Sequence, residues 1–100
     1  MGMILSHLGI VRETSLDGRF IEYLDVSYRM DRLEEIINEI ITMPGIAGVL
    51  VETAPGRLLV GDPVMAVVVG GDLRENVFPA LMKAVDRIKT EACVKKESFR

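Results

Sequence analysis

Lys89, Lys95 and Lys96 fall within eight positions near the end of this 100-residue sequence, and they are its best candidates for chemistry. The segment Lys89-Thr90-Glu91-Ala92-Cys93-Val94-Lys95-Lys96-Glu97 places one lysine at the end of an expected helix and two more in a short extended stretch. At that spacing their ammonium groups can converge on a single anionic ligand. An amine surrounded by other cations gives up its proton more readily, which suits a nucleophile or a base. Spacing alone nevertheless favours a plainer role, in which Lys89 complements the dipole at a helix C-terminus and the tail is a solvated basic face.

Other reactive residue types are sparse. His7 lies inside an expected strand with no second histidine to share a ligand or a proton, so a structural role is expected. The lone Cys93 excludes an internal disulfide and a cysteine-rich metal site, has no general base in its own segment, and reads as a buried thiol. Asp31, Glu34, Glu35 and Glu39 are spaced as a cap and the solvent face of a helix, and no metal or cofactor site is expected. Gly70-Gly71-Asp72 precedes a helix but lacks the spacing and the lysine of a phosphate loop, and is better read as a strand exit. Arg74 follows it at the helix start, where a cation opposes the dipole. That local cost hints at a use elsewhere; an exposed arginine with no structural role fits equally well.

Composition bounds the partners. Residues 1–82 carry six arginines, no lysine and twelve acids, a net of −6, whereas residues 83–100 carry a net of +3. An acidic chain without a broad basic face is a poor nucleic-acid binder. Apolar residues make up 49% of the sequence, enough for a core and for a buried subunit contact. The longest near-continuous apolar run, residues 64–69, is far shorter than the roughly 20 residues a membrane helix needs. The N-terminus has no leader pattern, so the expected compartment is the cytoplasm.

The elements that position the lysines follow from periodicity. Residues 3–11 read as a strand, Asp17-Gly18 as a turn, and residues 20–28 as a second strand whose faces are both mixed, which suits an edge or an interface. A helix follows, capped by Asp31 with Glu34 completing a capping box, with Leu33, Ile36, Ile37, Ile40 and Ile41 on its apolar stripe. Pro44-Gly45 stops it. Strands are expected at 46–52, 58–60 and 64–69, the last one central and buried. A second helix starts between Asp72 and Asn76, accommodates Pro79 near its start and ends near Thr90; a short strand at 93–96 closes the chain. The order β-β-α-β-β-β-α-β predicts one α+β domain over residues 1–100, with two helices on a mixed or antiparallel sheet.

Several segments in order resemble the catalytic (large) subunit of molybdopterin synthase. They are Gly9-Ile10-Val11-Arg12, the helix 33–41, Gly56-Arg57-Leu58-Leu59-Val60-Gly61-Asp62, the strand 64–69, and Asp86-Arg87-Ile88-Lys89 with Lys95-Lys96-Glu97. The resemblance implies an α/β hammerhead type of fold and an enzyme that inserts sulfur into cyclic pyranopterin monophosphate during molybdenum or tungsten cofactor synthesis. It further implies a small ubiquitin-like carrier bearing a thiocarboxylate on its Gly-Gly tail, and a homodimer that becomes a heterotetramer with two carriers. By the same resemblance Lys89 and Lys95 are the catalytic lysines, with Lys96 the rival of Lys95, and Arg12, Arg74 and Lys96 bind substrate. The family pattern also differs at several points: its histidine before the second arginine is Leu73 here, a second His-Arg pair is Thr53-Ala54, its Pro-aromatic-Trp element is reduced to Cys93-Val94, and its pocket is completed by residues beyond the position of Arg100. Those differences leave a second reading, a non-catalytic homodimeric homologue that binds an anionic ligand or a protein tail.

Overall fold

A computed structural model describes residues 2–100. Strand β1 (Met3–Ile10) and strand β2 (Ile21–Tyr28) precede helix α1 (Met30–Ile41). Strands β3 (Ile46–Thr53), β4 (Gly56–Leu58) and β5 (Pro63–Gly71) lead to helix α2 (Arg74–Arg87). A π turn (Ile88–Ala92) then joins α2 to the last strand, β6 (Cys93–Phe99). The α+β order is the expected one. All strand pairings are antiparallel, and the strands divide between two sheets, β1-β5-β3 and β4-β2-β6.

The run at 64–69 becomes the middle strand of the first sheet. One face of β5, through the buried Met65, Val67 and Val69, meets both helices. Leu33, Ile36 and Ile40 of α1 and Val77, Ala80, Leu81, Ala84 and Val85 of α2 close that core. Ile36, Ile40 and Val67 are fully excluded from solvent, so their burial stabilises the fold by about 1.5–3 kcal/mol apiece.

Helix α1 begins two residues earlier than the capping box required. Arg29 is the N-cap residue, its side chain makes no capping bond, and Asp31 lies inside the first turn. The backbone already supplies the first bond, from the Leu33 amide to the Arg29 carbonyl at 3.0 Å. Pro79 is the sixth residue of α2, deeper than the first turn, and its missing amide leaves the Glu75 carbonyl without an intrahelical donor. Both residues are exposed, where water can serve that carbonyl.

Strand β2 is not at an edge: it lies between β4 and β6. Its mixed faces are resolved by an irregularity in the pairing with β6 between Ile21 and Tyr23. The extra residue puts Ile21 on the same side as Leu24 and Val26, and all three are buried with Val11 in a second apolar cluster. Strand β4 falls at 56–58 rather than 58–60, because residues 59–62 form a turn. There the Leu59 amide donates to an Asp62 carboxylate oxygen at 2.8 Å, and Gly61 adopts φ +91°. Tyr28 joins the two clusters, its hydroxyl donating to the Val64 carbonyl at 2.7 Å.

Candidate functional site

Where the two sheets meet, the chain forms a cleft of about 650 Å³. Its floor is apolar, from Val11, Ile21, Leu24, Val64 and Met65. The loop after β1, with Arg12 and residues 14–17, forms one wall, and the π turn and β6, with Lys89, Cys93, Lys95 and Glu97, form the other.

Strand alternation decides which lysine of β6 enters. Lys95 stands opposite Val26 and Lys96 opposite Asp25 in the antiparallel pair. Paired residues share a face. Val26 belongs to the cluster under the cleft, so Lys95 lines the cleft together with Cys93, Glu97 and Phe99. Lys96 is on the opposite face, with Asp25 and Arg57. There Arg57 donates to both carboxylate oxygens of Asp25, at 3.0 and 3.3 Å, and covers the Tyr23 ring at 3.9 Å. That guanidinium, and behind it the Lys96 charge, hold the Asp25 carboxyl below the usual carboxylate range.

Lys89 reaches the same cleft from the π turn. In that turn Ile88 and Ala92 are fully buried, and Lys89 and Cys93, also four residues apart, line the cleft. Among the described residues no lysine forms an ion pair, so Lys89 and Lys95 present their charges to the cleft. Arg12 sits across from them, its Nε and one terminal nitrogen donating to the Thr14 carbonyl at 3.4 and 3.3 Å. The acids that line the cleft are Glu97 and Asp17. Asp17 is occupied by the Ser15 hydroxyl and the Arg19 amide, which hold its carboxyl below the ordinary value. Three cations against two acids, one of them engaged locally, make this a place for an anion over an apolar floor.

The structure thus brings together Arg12, Lys89 and Lys95 and leaves Lys96 and Arg74 outside. Arg74 starts α2, is largely exposed, and among the described residues pairs with the neighbouring Glu75, at 3.4 Å. It follows the end of β5 that lies opposite the cleft: Val64 and Met65 touch the cleft, whereas Gly71 is eight residues from Pro63, roughly 26 Å along an extended strand.

Sequence reasoning missed Cys93 and Glu97 as lining residues, although the period-two alternation with Lys95 was the signal for both. The Cys93 thiol faces the Tyr28 hydroxyl, which burial and then the thiol itself push well above its ordinary range. Tyr28 therefore remains a donor and supplies no base, and Cys93, half-buried on the cleft wall, departs from the buried thiol expected. His7 has a buried Nε2 with no hydrogen-bond partner among the described residues and lies beside α2, outside the cleft.

A sequence model of the MoaE protein family matches residues 1–91. The chain belongs to the MoaE family. The match includes Arg12, Arg74 and Lys89 and stops before β6, but similarity among solved structures extends through it. A molybdopterin synthase from Staphylococcus aureus is 27% identical over 99% of this chain and 75% of its own, with a TM-score of 0.84. A molybdopterin biosynthesis MoaE protein from Burkholderia ambifaria is 26% identical over 99% of this chain and 71% of its own, at 0.79. The fold also matches, at 19% identity and a TM-score of 0.76 over 99% of this chain and 67% of that one, a structure described as a complex of subunits 1 and 2 of molybdopterin-converting factor from Helicobacter pylori. No curated protein matches. With this fold and this family, the chain is a molybdopterin synthase large-subunit-like MoaE protein of molybdenum cofactor biosynthesis. No helix among the described residues of this MoaE chain is long and apolar enough to cross a membrane.

Proposed function

We propose that residues 1–100 act as one catalytic domain of a molybdopterin synthase, working in the cytoplasm on a phosphorylated pterin with a small ubiquitin-like sulfur carrier. The observation that carries this reading is the convergence of Lys89 and Lys95, from two different elements, with Arg12 on one cleft. An apolar floor suits a flat pterin ring, and the cations suit its phosphate and the anionic thiocarboxylate of a carrier tail. Lys89 serves either as the amine that attacks the thiocarboxyl carbon, forming an amide as the C–S bond breaks and hydrosulfide leaves toward the pterin, or as the cation that holds the carboxylate left once sulfur has moved to the pterin. Lys95 and Arg12 neutralise the remaining negative charge. The Helicobacter pylori structure supports a two-subunit assembly, since it is described as a complex of the two subunits of that factor.

Arg74 and Lys96 take a different place in this reading from the catalytic pair. Arg74 is too far along β5 to reach the cleft of its own chain, so any part it has in substrate binding comes from a second copy. Lys96 faces Asp25 and serves the outer face of the second sheet. A homodimer is expected through the uncovered face of the β1-β5-β3 sheet, giving a heterotetramer with two carriers.

The test combines the chain with a thiocarboxylated carrier and cyclic pyranopterin monophosphate and assays dithiolene product, for the wild type and Lys89→Ala. Turnover in the wild type and a fall of roughly 100-fold or more in the variant, with the fold intact, support the proposal. Wild-type protein that binds carrier tail or phosphate but forms no dithiolene would instead establish the non-catalytic homologue, the reading that Leu73, Thr53 and Cys93 at the family's histidine and aromatic positions keep open.

A further inference from the structure

A π turn is less favourable than the α-helix it interrupts, and such turns recur at functional sites. Something must hold this one. From the core side it is held by Ile88 and Ala92, both fully buried, and by the Arg29 amide, which donates to the Ala92 carbonyl at 2.8 Å. Beyond that backbone bond from the α1 N-cap residue, one side chain of the turn ties it to α1. Glu91 accepts from Arg87 Nε at 2.8 Å and from a terminal Arg87 nitrogen at 3.2 Å, and on its other side it meets Arg32 of α1. Arg32 also donates to Glu35 at 2.6 Å, so the carboxylate ties the turn to the start of α1 through Arg32, while Arg87 at the end of α2 reaches Glu39 of α1 directly.

We infer that Glu91 is the positioning residue for Lys89, an inference that rests on the synthase reading of the cleft. The turn has three sides: Ile88 and Ala92 face the core, Arg87 and Glu91 face α1, and Lys89 and Cys93 face the cleft. The amide of Cys93 closes it by donating back to the Ile88 carbonyl, five residues earlier. Loss of the Glu91 contacts lets the turn rewind toward α geometry, which accommodates one residue fewer. That residue has to be absorbed by rotating Lys89 off the cleft or by slipping β6 one step along β2. A one-step slip would exchange Lys95 and Lys96 between the two faces of the sheet. Either way the pair of lysines comes apart while both remain in the chain. The two arginines also hold the Glu91 carboxyl below its ordinary range, so the clamp stays charged at neutral pH.

The variants Glu91→Gln and Arg32→Gln test this, with Glu91→Asp as the conservative control. In steady-state dithiolene assays Glu91→Gln should lower kcat by roughly tenfold to a hundredfold with KM for the carrier little changed, because misplacing a reacting group costs rate more than binding. Arg32→Gln should lower it less, and Glu91→Asp should recover part of the loss. Two readouts need no turnover: faster exchange of the Cys93 amide, and a severalfold change in acetylation of Lys89 by limiting acetic anhydride, measured against the exposed Lys83. If the wild type proves inactive, the synthase reading falls, and a changed Lys89 to Lys83 ratio in Glu91→Gln still supports positioning. An unchanged ratio with an unchanged Cys93 amide overturns the inference, whatever happens to turnover.

Discussion

Lys95 and Lys96 are adjacent in sequence yet stand on opposite faces of β6, the first across from Val26 and the second across from Asp25. Only the Val26 side is the cleft. In the dithiolene assay, Lys95→Ala is expected to lose roughly 100-fold in rate, as for a lost charge-bearing group at a reaction centre. Lys96→Ala should stay near wild type, since a surface change of this kind usually alters stability by less than about 0.5 kcal/mol. Equal losses in the two variants would remove Lys95 from the site.

The same pair of residues shows what could be read before the fold was known. Alternation along an extended segment predicts that the two lysines diverge. Which one turns inward depends on the partner strand, and Val26, the β2 residue opposite Lys95, is 69 residues earlier in the chain. Helices, core stripe and the central β5 were legible because each is a local pattern of apolar residues. The β2 faces were not, because one extra residue between Ile21 and Tyr23 breaks the period-two pattern. The capping box failed for a related reason: Asp31 and Glu34 have the right spacing, but the backbone of Arg29 had already begun the helix. The remoteness of Arg74 is a property of strand length, which motif spacing does not carry.

Gly45 holds the turn after α1 with φ +77°, and a Cβ built there would lie 2.3 Å from an Asp72 carboxylate oxygen and 2.4 Å from the Asn76 amide nitrogen. Those two side chains are hydrogen-bonded to one another at 2.8 Å at the start of α2. Gly45→Ala therefore combines left-handed strain of about 1–2 kcal/mol with the loss of that bond, about another 1 kcal/mol. Gly18, at φ +85° with open space around it, supplies the control, since Gly18→Ala carries the backbone strain alone. Denaturant midpoints should fall for both and further for Gly45→Ala; equal midpoints would show that Asp72 and Asn76 swing aside without cost.

Acid should weaken the fold. The Asp17, Asp25, Asp72 and Glu91 carboxyls all lie below their ordinary values, held respectively by the Ser15 hydroxyl, the Arg57 guanidinium, the Asn76 amide and the Arg87 guanidinium. A group whose folded pKa is depressed contributes stability that is fully present above the unfolded value and is lost as pH falls through the folded one. These four therefore contribute nothing to the pH dependence between pH 6 and 8, and their contribution drains away below about pH 4. All are solvent-accessible, so added salt should flatten the effect. A Tm that held constant or rose from pH 5 to pH 3 at low salt would contradict this account.

The face of the first sheet turned away from the helices is where the proposed homodimer would form. Ile4 and Leu8 of β1 are 65% and 58% exposed, and Leu50 of β3 is 59% exposed. The pairings Leu8 with Ala66, Ser6 with Val68 and Leu50 with Val68 place them on one continuous surface across the three strands. Apolar side chains concentrated in this way mark an interaction surface rather than scattered exposure. In the proposed homodimer a second copy related by a two-fold axis would cover it with the same surface, and each leucine buried there would contribute about 1.5–3 kcal/mol per copy. Multi-angle light scattering at micromolar concentration should return twice the 11.1 kDa chain mass, and Leu50→Lys or Leu8→Lys should return one chain. Both variants should keep the wild-type helical signal, because neither side chain reaches the helix-covered core. A wild-type monomer would refute the dimer outright, and a dimer that survives both substitutions would move the contact to another face.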